Sequence, residues 1–216
     1  MTEHTIVALA SLIALILAVT THEAAHGFMA KMFGDRTAEM MGRMTFNPLS
    51  HIDLMGTVLL PGILYLTNAP FLFGYAKPVP VNFSNLRPRR LGEILVAFAG
   101  PGVNFLLAFI SAVLLHINPT QETFGNDVLV RSVMINIVLG VFNLLPILPL
   151  DGGRILNGLL PRQLAEQYSR SEPYGMFILL GLLLLPNLIG FNLLAAILKP
   201  FINLVFGLIL AAAGIH

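Results

Sequence analysis

The stretch TIVALASLIALILAVTTHEAAHG, residues 5–27, decides how the rest of the chain is read. Its first 17 residues, Thr5–Thr21, carry no charge, and a helix crossing a bilayer needs roughly 20 predominantly apolar residues. The run then leads directly into two histidines and a glutamate. A secretory leader fits poorly, because no basic region precedes the run and no small-residue cleavage site follows it. Ionisable groups are costly in a bilayer unless they are paired or used. The stretch therefore reads as a membrane helix with a polar task at one end.

Composition extends this reading to the whole chain. Of 216 residues, 56% are hydrophobic and 11% charged, against about 25% charged in ordinary globular domains. Mean hydropathy is +0.82. Twelve basic and eleven acidic residues cannot coat a soluble domain of this length, which excludes a soluble enzyme and a disordered chain. A net charge of +1 offers no basic face for nucleic acid. The absence of cysteine excludes disulfides, a thiolate nucleophile and a Cys-type zinc site. Further charge-free runs cover Leu54–Ala76, Ile94–Gln121, Ser132–Leu150, Pro173–Leu198 and Pro200–His216. The expected fold is an all-α polytopic membrane protein with about six transmembrane helices, residues 1–216 forming one membrane-embedded domain. In the third run, Ala97, Ala99, Gly100, Gly102, Ala108 and Ser111 suit close helix packing.

Basic residues orient the spans. Lys31, Arg36 and Arg43 form one cluster, Arg87, Arg89 and Arg90 a second, and Arg154, Arg162 and Arg170 a third. The segment 118–127 has two acids and no base, and 186–192 has no charge. The basic clusters are expected to face inward and the other two segments outward. A simple crossing from Leu54 would put the first two clusters on opposite sides. Residues 71–83, FLFGYAKPVPVNF, resolve this if they form a small re-entrant extended or β segment, because two prolines and Gly74 disfavour helix. Irregular backbone at membrane depth must be buried in protein or line a watery cavity. The competing reading is a crossing that breaks the charge rule.

Positions i and i+4 share a helix face, so His22 and His26 can offer two imidazole nitrogens to one metal ion. Glu23 sits beside the first, where it can hold or deprotonate a metal-bound water, the chemistry of H-E-x-x-H. Zinc makes such a water acidic enough to ionise near pH 7. The plainer alternative is a polar helix end at the membrane interface. A catalytic zinc usually has three protein ligands and an open position. His4, His116 and His216 lie at helix ends or the terminus, and His51, ahead of a span with Asp53, reads as interfacial at a helix start. Asp151 is the better third ligand. It closes NLLPILPLDGGR, residues 143–154, where prolines free backbone carbonyls and glycines permit a tight turn. Taken alone, the same Asp suits an ordinary helix exit. Both halves of the site precede inward basic residues, His26 lying roughly 8 Å along a helix from Lys31. Asn104 and Asn143 are buried amides that need partners. Either suits an oxyanion donor or a substrate-backbone contact; for Asn104, helix–helix bonding fits as well, whereas Asn143 is expected to be catalytic.

These residues resemble the site-2 protease family of intramembrane metalloproteases. The resemblance rests on HEAAH at 22–26, the 143–152 segment ending in Leu-Asp-Gly, GPGVN at 100–104, and GYAKPVPVN at 74–82, which is similar to a segment of the compact bacterial members. It implies that His22, His26 and Asp151 bind one Zn2+ per chain and that Glu23 is the catalytic acid and base. It implies regulated cleavage of transmembrane proteins or peptides, often after a first cut elsewhere. The expected setting is the lipid bilayer of a bacterial plasma membrane, multi-pass, with the site toward the cytoplasmic side. No PDZ or CBS sequence is recognisable, which leaves regulation through such domains open. Three other classes compete: a metal-ion transporter using the same His/Asp site, a di-metal carboxylate bundle, and an inactive scaffold. A transporter wants metal-binding groups staged along a path, and a di-metal bundle wants paired Glu-x-x-His motifs, of which Glu23-x-x-His26 is the lone example.

Overall fold

The structure, a computed structural model, describes residues 3–59, 62–63, 66, 74–118 and 123–215. Every regular element among them is helical. The helices are α1 (Glu3–Met32), α2 (Thr37–Met40), α3 (Arg89–Ile117), α4 (Phe124–Asn143), α5 (Asp151–Leu159), α6 (Arg162–Ser169), α7 (Glu172–Ile189) and α8 (Leu193–Ala212). A 3-10 turn, Pro48–His51, and a single π-helical turn, Leu54–Leu59, lie between α2 and α3. Four helices, α1, α3, α4 and α8, are long and apolar enough to cross a membrane, and α7 carries a shorter apolar stretch, Glu172–Leu184.

The helices do not end where the charges do. α1 continues through the histidines to Met32, because nothing between Thr21 and Met32 breaks a helix. α4 begins at Phe124 rather than Ser132 and carries Arg131 within it. One arginine near a helix end can run its apolar stem along the helix and keep its head in a polar layer. Thr123 caps this start, its Oγ1 accepting from the Asn126 N–H. α4 stops at Asn143 rather than Leu150, since the residues approaching Pro146 are disfavoured in helical geometry. Near the C-terminus the break falls at Gly190, in the left-handed region with φ +67°, and not at Lys199. Asn192 caps α8 by accepting from the Ala195 N–H at 2.8 Å, and Pro200 sits inside that helix.

Two ridges of four-residue period build the centre. On α1, Ala10, Ala14, Ala18, His22, His26 and Ala30 are all buried. On α3 the matching set is Gly92, Val96, Gly100, Asn104, Ala108 and Ala112. Ridges at i±4 pack into the grooves of a neighbouring helix, and small residues let the backbones approach. The helices run antiparallel: His26 meets Val96, and both His22 and the Ala18 carbonyl meet Asn104. α4 closes the third side, and α8 seals it through Leu194, Leu198 and Ile209 against Ala108, Ala112, Val133 and Ile137. The same periodicity that hides alanines thus carries two imidazoles into the interior.

The expected span Leu54–Ala76 is described only in part, and residues 71–73 of the expected re-entrant stretch lie outside the described residues. Residues 74–82 are irregular and form no strand. The Tyr75 N–H donates to the Gly56 carbonyl at 3.0 Å and the Lys77 N–H to the His51 carbonyl at 2.9 Å. The two ends of the intervening segment therefore lie side by side. Asp53 starts the turn at Leu54, accepting from the Gly56 N–H at 2.7 Å. Downstream, the fully buried Asp35 accepts from the Thr37 hydroxyl at 2.6 Å, the Asn82 N–H at 2.7 Å and the Asn85 amide at 2.9 Å, tying 82–85 to the end of α1.

Candidate metal centre

His22 and His26 leave one face of α1 one turn apart, and their Nε2 atoms lie 3.1 Å from each other. Asp151 meets both: Oδ2 is 3.2 Å from His22 Nε2, and Oδ1 is 3.4 Å from His26 Nε2. Ligand atoms at 2.0–2.1 Å around a tetrahedral zinc are separated by about 3.3 Å. The Nε2–Nε2 separation and the approach of one Asp151 oxygen to each imidazole, a different oxygen in each case, lie close to that value, and one ligand atom from each residue lies within 4.8 Å of the others. Among the described residues, this is the group of three His, Asp or Glu side chains able to converge on one metal ion.

Hydrogen bonding explains why a cation fits the gap. His26 Nδ1 lies 2.7 Å from the Val96 carbonyl, which can only accept, so Nδ1 carries the hydrogen. His22 Nδ1 lies 2.6 Å from Asn104 Oδ1, also an acceptor. In a neutral imidazole the other nitrogen then bears a lone pair. Two lone pairs and a carboxylate converge with no donor between them, and Asp151 Oδ2 is buried without a hydrogen-bond partner. A buried acceptor set of this kind is costly unless a cation completes it. Two imidazoles and one carboxylate are ordinary zinc donors.

Glycines decide whether these groups can meet. A Cβ on Gly100 of α3 would lie 2.5 Å from His22 Cε1 and 2.6 Å from Nε2 of both histidines. Asp151 opens α5 instead of ending a helix, a place where the helix dipole favours a carboxylate. Gly152 and Gly153 are helical and do not make the tight turn expected from the sequence. Their role is proximity. A Cβ on Gly152 would fall 2.1 Å from the Leu144 carbonyl oxygen, and one on Gly153 would fall 2.5 Å from the Leu148 nitrogen. Only glycine lets α5 lie directly on the 144–148 backbone and bring Asp151 to the histidines.

A cavity of about 680 Å³ opens beside the cluster, with Glu23, Asn143 and Arg154 in its wall. Val19, Val96, Phe142, Leu150, Met176 and Leu179 supply apolar surface. Glu23 Oε2 accepts from the Val79 N–H at 2.8 Å, so the irregular segment passes directly over the glutamate. Asn143 donates to the Leu139 carbonyl of its own helix at 3.0 Å, which uses one of its two amide hydrogens. Asn104 is fully buried and is absent from the cavity wall, which removes it as a donor to an oxyanion or substrate. His51 lies outside the cluster and is bonded to the Thr45 carbonyl. Arg154 pairs with Glu172 and lies 5.1 Å from the centroid of the Phe83 ring. As parts of the site three residues escaped the sequence reading: Arg154, read there only as an orienting charge, Asn136, and Gly100 as a wall. Asn136 stands seven residues before Asn143, two helical turns along the same face, a signal that was available.

The model of Peptidase family M50 matches residues 10–127 and 125–186. The protein named "Putative zinc metalloprotease YwhC" of Bacillus subtilis is 38% identical over 185 residues, covering 81% of this chain and 80% of its own length. The "Putative zinc metalloprotease Rip2" of Mycolicibacterium smegmatis is 27% identical, with 80% of this chain and 66% of the relative covered. A protein of Methanocaldococcus jannaschii named as a zinc metalloprotease is 24% identical, and the match spans 88% of this chain but 46% of the relative. No solved structure matches the chain.

Proposed function

The chain belongs to Peptidase family M50, the site-2 protease family, and from that premise we propose an intramembrane zinc metalloprotease of the H-E-x-x-H type. Its substrates are membrane proteins cut within or beside a transmembrane segment. The observation that carries the reading is the buried convergence of His22, His26 and Asp151 at separations suited to tetrahedral zinc, with Glu23 one residue along the same helix and facing the cavity.

In this reading His22 Nε2, His26 Nε2 and Asp151 hold one zinc ion. When bound, zinc supplies Lewis acidity at the scissile carbonyl and makes water easier to deprotonate. Glu23 takes the proton from the attacking water and passes it to the leaving amide nitrogen, so one carboxylate serves as base and then acid. The Val79 N–H bond holds that carboxylate against the cavity. The second amide hydrogen of Asn143 is suited to the oxyanion that forms on the substrate. A helical substrate hides its amides in i→i−4 bonds and must unwind first. The irregular backbone of 74–82 borders the cavity; its Tyr75, Lys77, Val79 and Asn82 N–H groups are already bonded within the protein, so an unwound strand would pair mainly with its carbonyl groups.

The membrane plan is part of the same proposal. α7 adds a fifth crossing to α1, α3, α4 and α8, and Leu54 and Ala76 lie on the same side of the bilayer. The paired backbone of 51–56 and 75–77 supports a return on the side of entry. All three basic clusters then share the cytoplasmic side with the metal centre, as the positive-inside rule asks. These helices act as one membrane-embedded catalytic domain.

The deciding experiment uses the purified protein in detergent with a transmembrane-segment peptide. Glu23→Gln retains one zinc per chain and loses cleavage by more than about a thousandfold, general acid–base catalysis accounting for 10²–10⁴. Cleavage persisting in that variant overturns the mechanism. A transporter is not favoured, because among the described residues the metal-binding groups form one cluster; zinc flux into proteoliposomes without proteolysis would reverse that judgement.

A further inference from the structure

A row of amides leads away from the metal centre into a part of the molecule with no contact with the cavity. Asn104 and Asn136 are 0% and 1% exposed, among apolar residues of three helices. Asn104 Nδ2 lies 3.2 Å from the Ala18 carbonyl and 2.7 Å from Asn136 Oδ1. Asn136 Nδ2 lies 2.9 Å from the Ser132 carbonyl. Backbone carbonyls only accept, so each amide has one permitted orientation. The Ser132 carbonyl makes the near end of Asn136 its NH2 and turns Oδ1 toward Asn104. The Ala18 carbonyl, with that Oδ1, makes the near end of Asn104 its NH2. Asn104 Oδ1 is left pointing at His22 Nδ1, 2.6 Å away.

We propose that Asn104, oriented by Asn136 and the Ala18 carbonyl, is a positioning residue for the metal centre: it holds His22 as the Nδ1–H tautomer and aims Nε2 at the gap shared with His26 and Asp151. This rests on His22 being a metal ligand. An imidazole with its hydrogen on Nε2 has no lone pair to offer there. The bond from Asn104 Oδ1 is the contact that forbids it, because His22 Nδ1 has no backbone acceptor of the kind Val96 gives His26. Interhelical bonding of a purely structural kind exists nearby for comparison. Ser111 Oγ donates to Ser132 Oγ at 2.8 Å between the same two helices; Ser132 Oγ also accepts from Asn136 Nδ2 at 3.1 Å, but the Ser132 carbonyl by itself fixes that amide, so Ser111 is not needed to orient Asn104.

The test measures zinc affinity of the full chain in detergent, by competition with a chromophoric chelator, beside thermal unfolding of the zinc-free protein. A hydrogen-bond partner of a metal-bound histidine is typically worth 10–100-fold in metal affinity. Asn104→Leu weakens zinc binding by about that factor. Asn104→Asp keeps an acceptor for His22 Nδ1 and, protonated on the oxygen that faces the Ala18 carbonyl and Asn136 Oδ1, recovers part of the loss. It also restores the visible spectrum of the cobalt(II)-substituted protein, which Asn104→Leu alters. Asn136→Ala weakens zinc several-fold through Asn104 alone. Ser111→Ala lowers stability without moving zinc affinity. Equal affinity in wild type, Asn104→Leu and Asn136→Ala, with only stability reduced, overturns the positioning role while leaving the zinc site intact. Failure of the wild-type protein to bind zinc, or binding unaffected by His22→Ala, overturns the underlying ligand assignment and this proposal with it. Should Asn104→Leu fail to fold, the comparison of Asn136→Ala with Ser111→Ala decides.

Discussion

At position 100 the two imidazoles leave room for a hydrogen and not for a methyl. Both imidazoles press against the Gly100 Cα, and an added methyl would meet them at 2.5–2.6 Å. The rings cannot retreat far, because His22 is tied to Asn104 and His26 to the Val96 carbonyl. Gly100→Ala is therefore expected to lower zinc to below about a tenth of wild-type occupancy and to abolish cleavage, because the methyl pushes the imidazoles off the bonds that aim them. Gly181→Ala, where nothing lies within 4 Å of the new methyl, leaves both unchanged. Metal analysis of the two purified variants checks this. The identity of the histidines, the glutamate and the aspartate is legible in the sequence, because ionisable groups beside apolar spans need a reason. The value of Gly100 is not, since a glycine in a small-residue helix reads equally as lipid-phase packing.

At the scale of elements, the junction between α1 and the 82–85 segment is held by one carboxylate. Burial pushes the Asp35 carboxyl up, but bonds from Thr37, Asn85 and the Asn82 and Thr37 backbone N–H groups outweigh it and hold the group below the usual carboxylate range. A group whose pKa is depressed by folding adds stability above its unfolded pKa and loses it as pH falls through the lower folded value. The contribution of Asp35 is therefore complete at neutral pH and disappears on acidification. Asp35→Asn is expected to cost about 1–3 kcal/mol at pH 7, with the gap to wild type closing as pH drops below the carboxylate range. Thermal unfolding of both proteins across pH reads this directly, and a gap that widens on acidification contradicts it. The sequence showed the apolar runs but misjudged their ends. Counting charges stops a helix at Arg131 and Lys199, whereas the backbone stops it at Pro146 and Gly190, where conformation forbids continuing.

For the whole molecule the question is which segments share a side of the membrane. The chain has no cysteine, so single cysteines report accessibility without background. On the proposed plan, with Leu54 and Ala76 on one side, Ser50→Cys and Ser84→Cys are labelled from the cytoplasmic side and Thr123→Cys from the opposite side. Labelling of Ser50→Cys and Ser84→Cys from opposite sides contradicts the re-entrant plan. The sequence by itself determined the membrane setting and the chemical groups of the site. Hydrophobic content and the i, i+4 spacing of His22 and His26 are local properties that any fold of this chain must respect. Tertiary structure decided what those groups meet. Asp151 is 125 residues from His26 in the chain and reaches it only because Gly152 and Gly153 let α5 rest on the 144–148 backbone. Asn136 reaches His22 only through Asn104, across three helices. Such contacts depend on close approach between distant backbones, which no local pattern encodes.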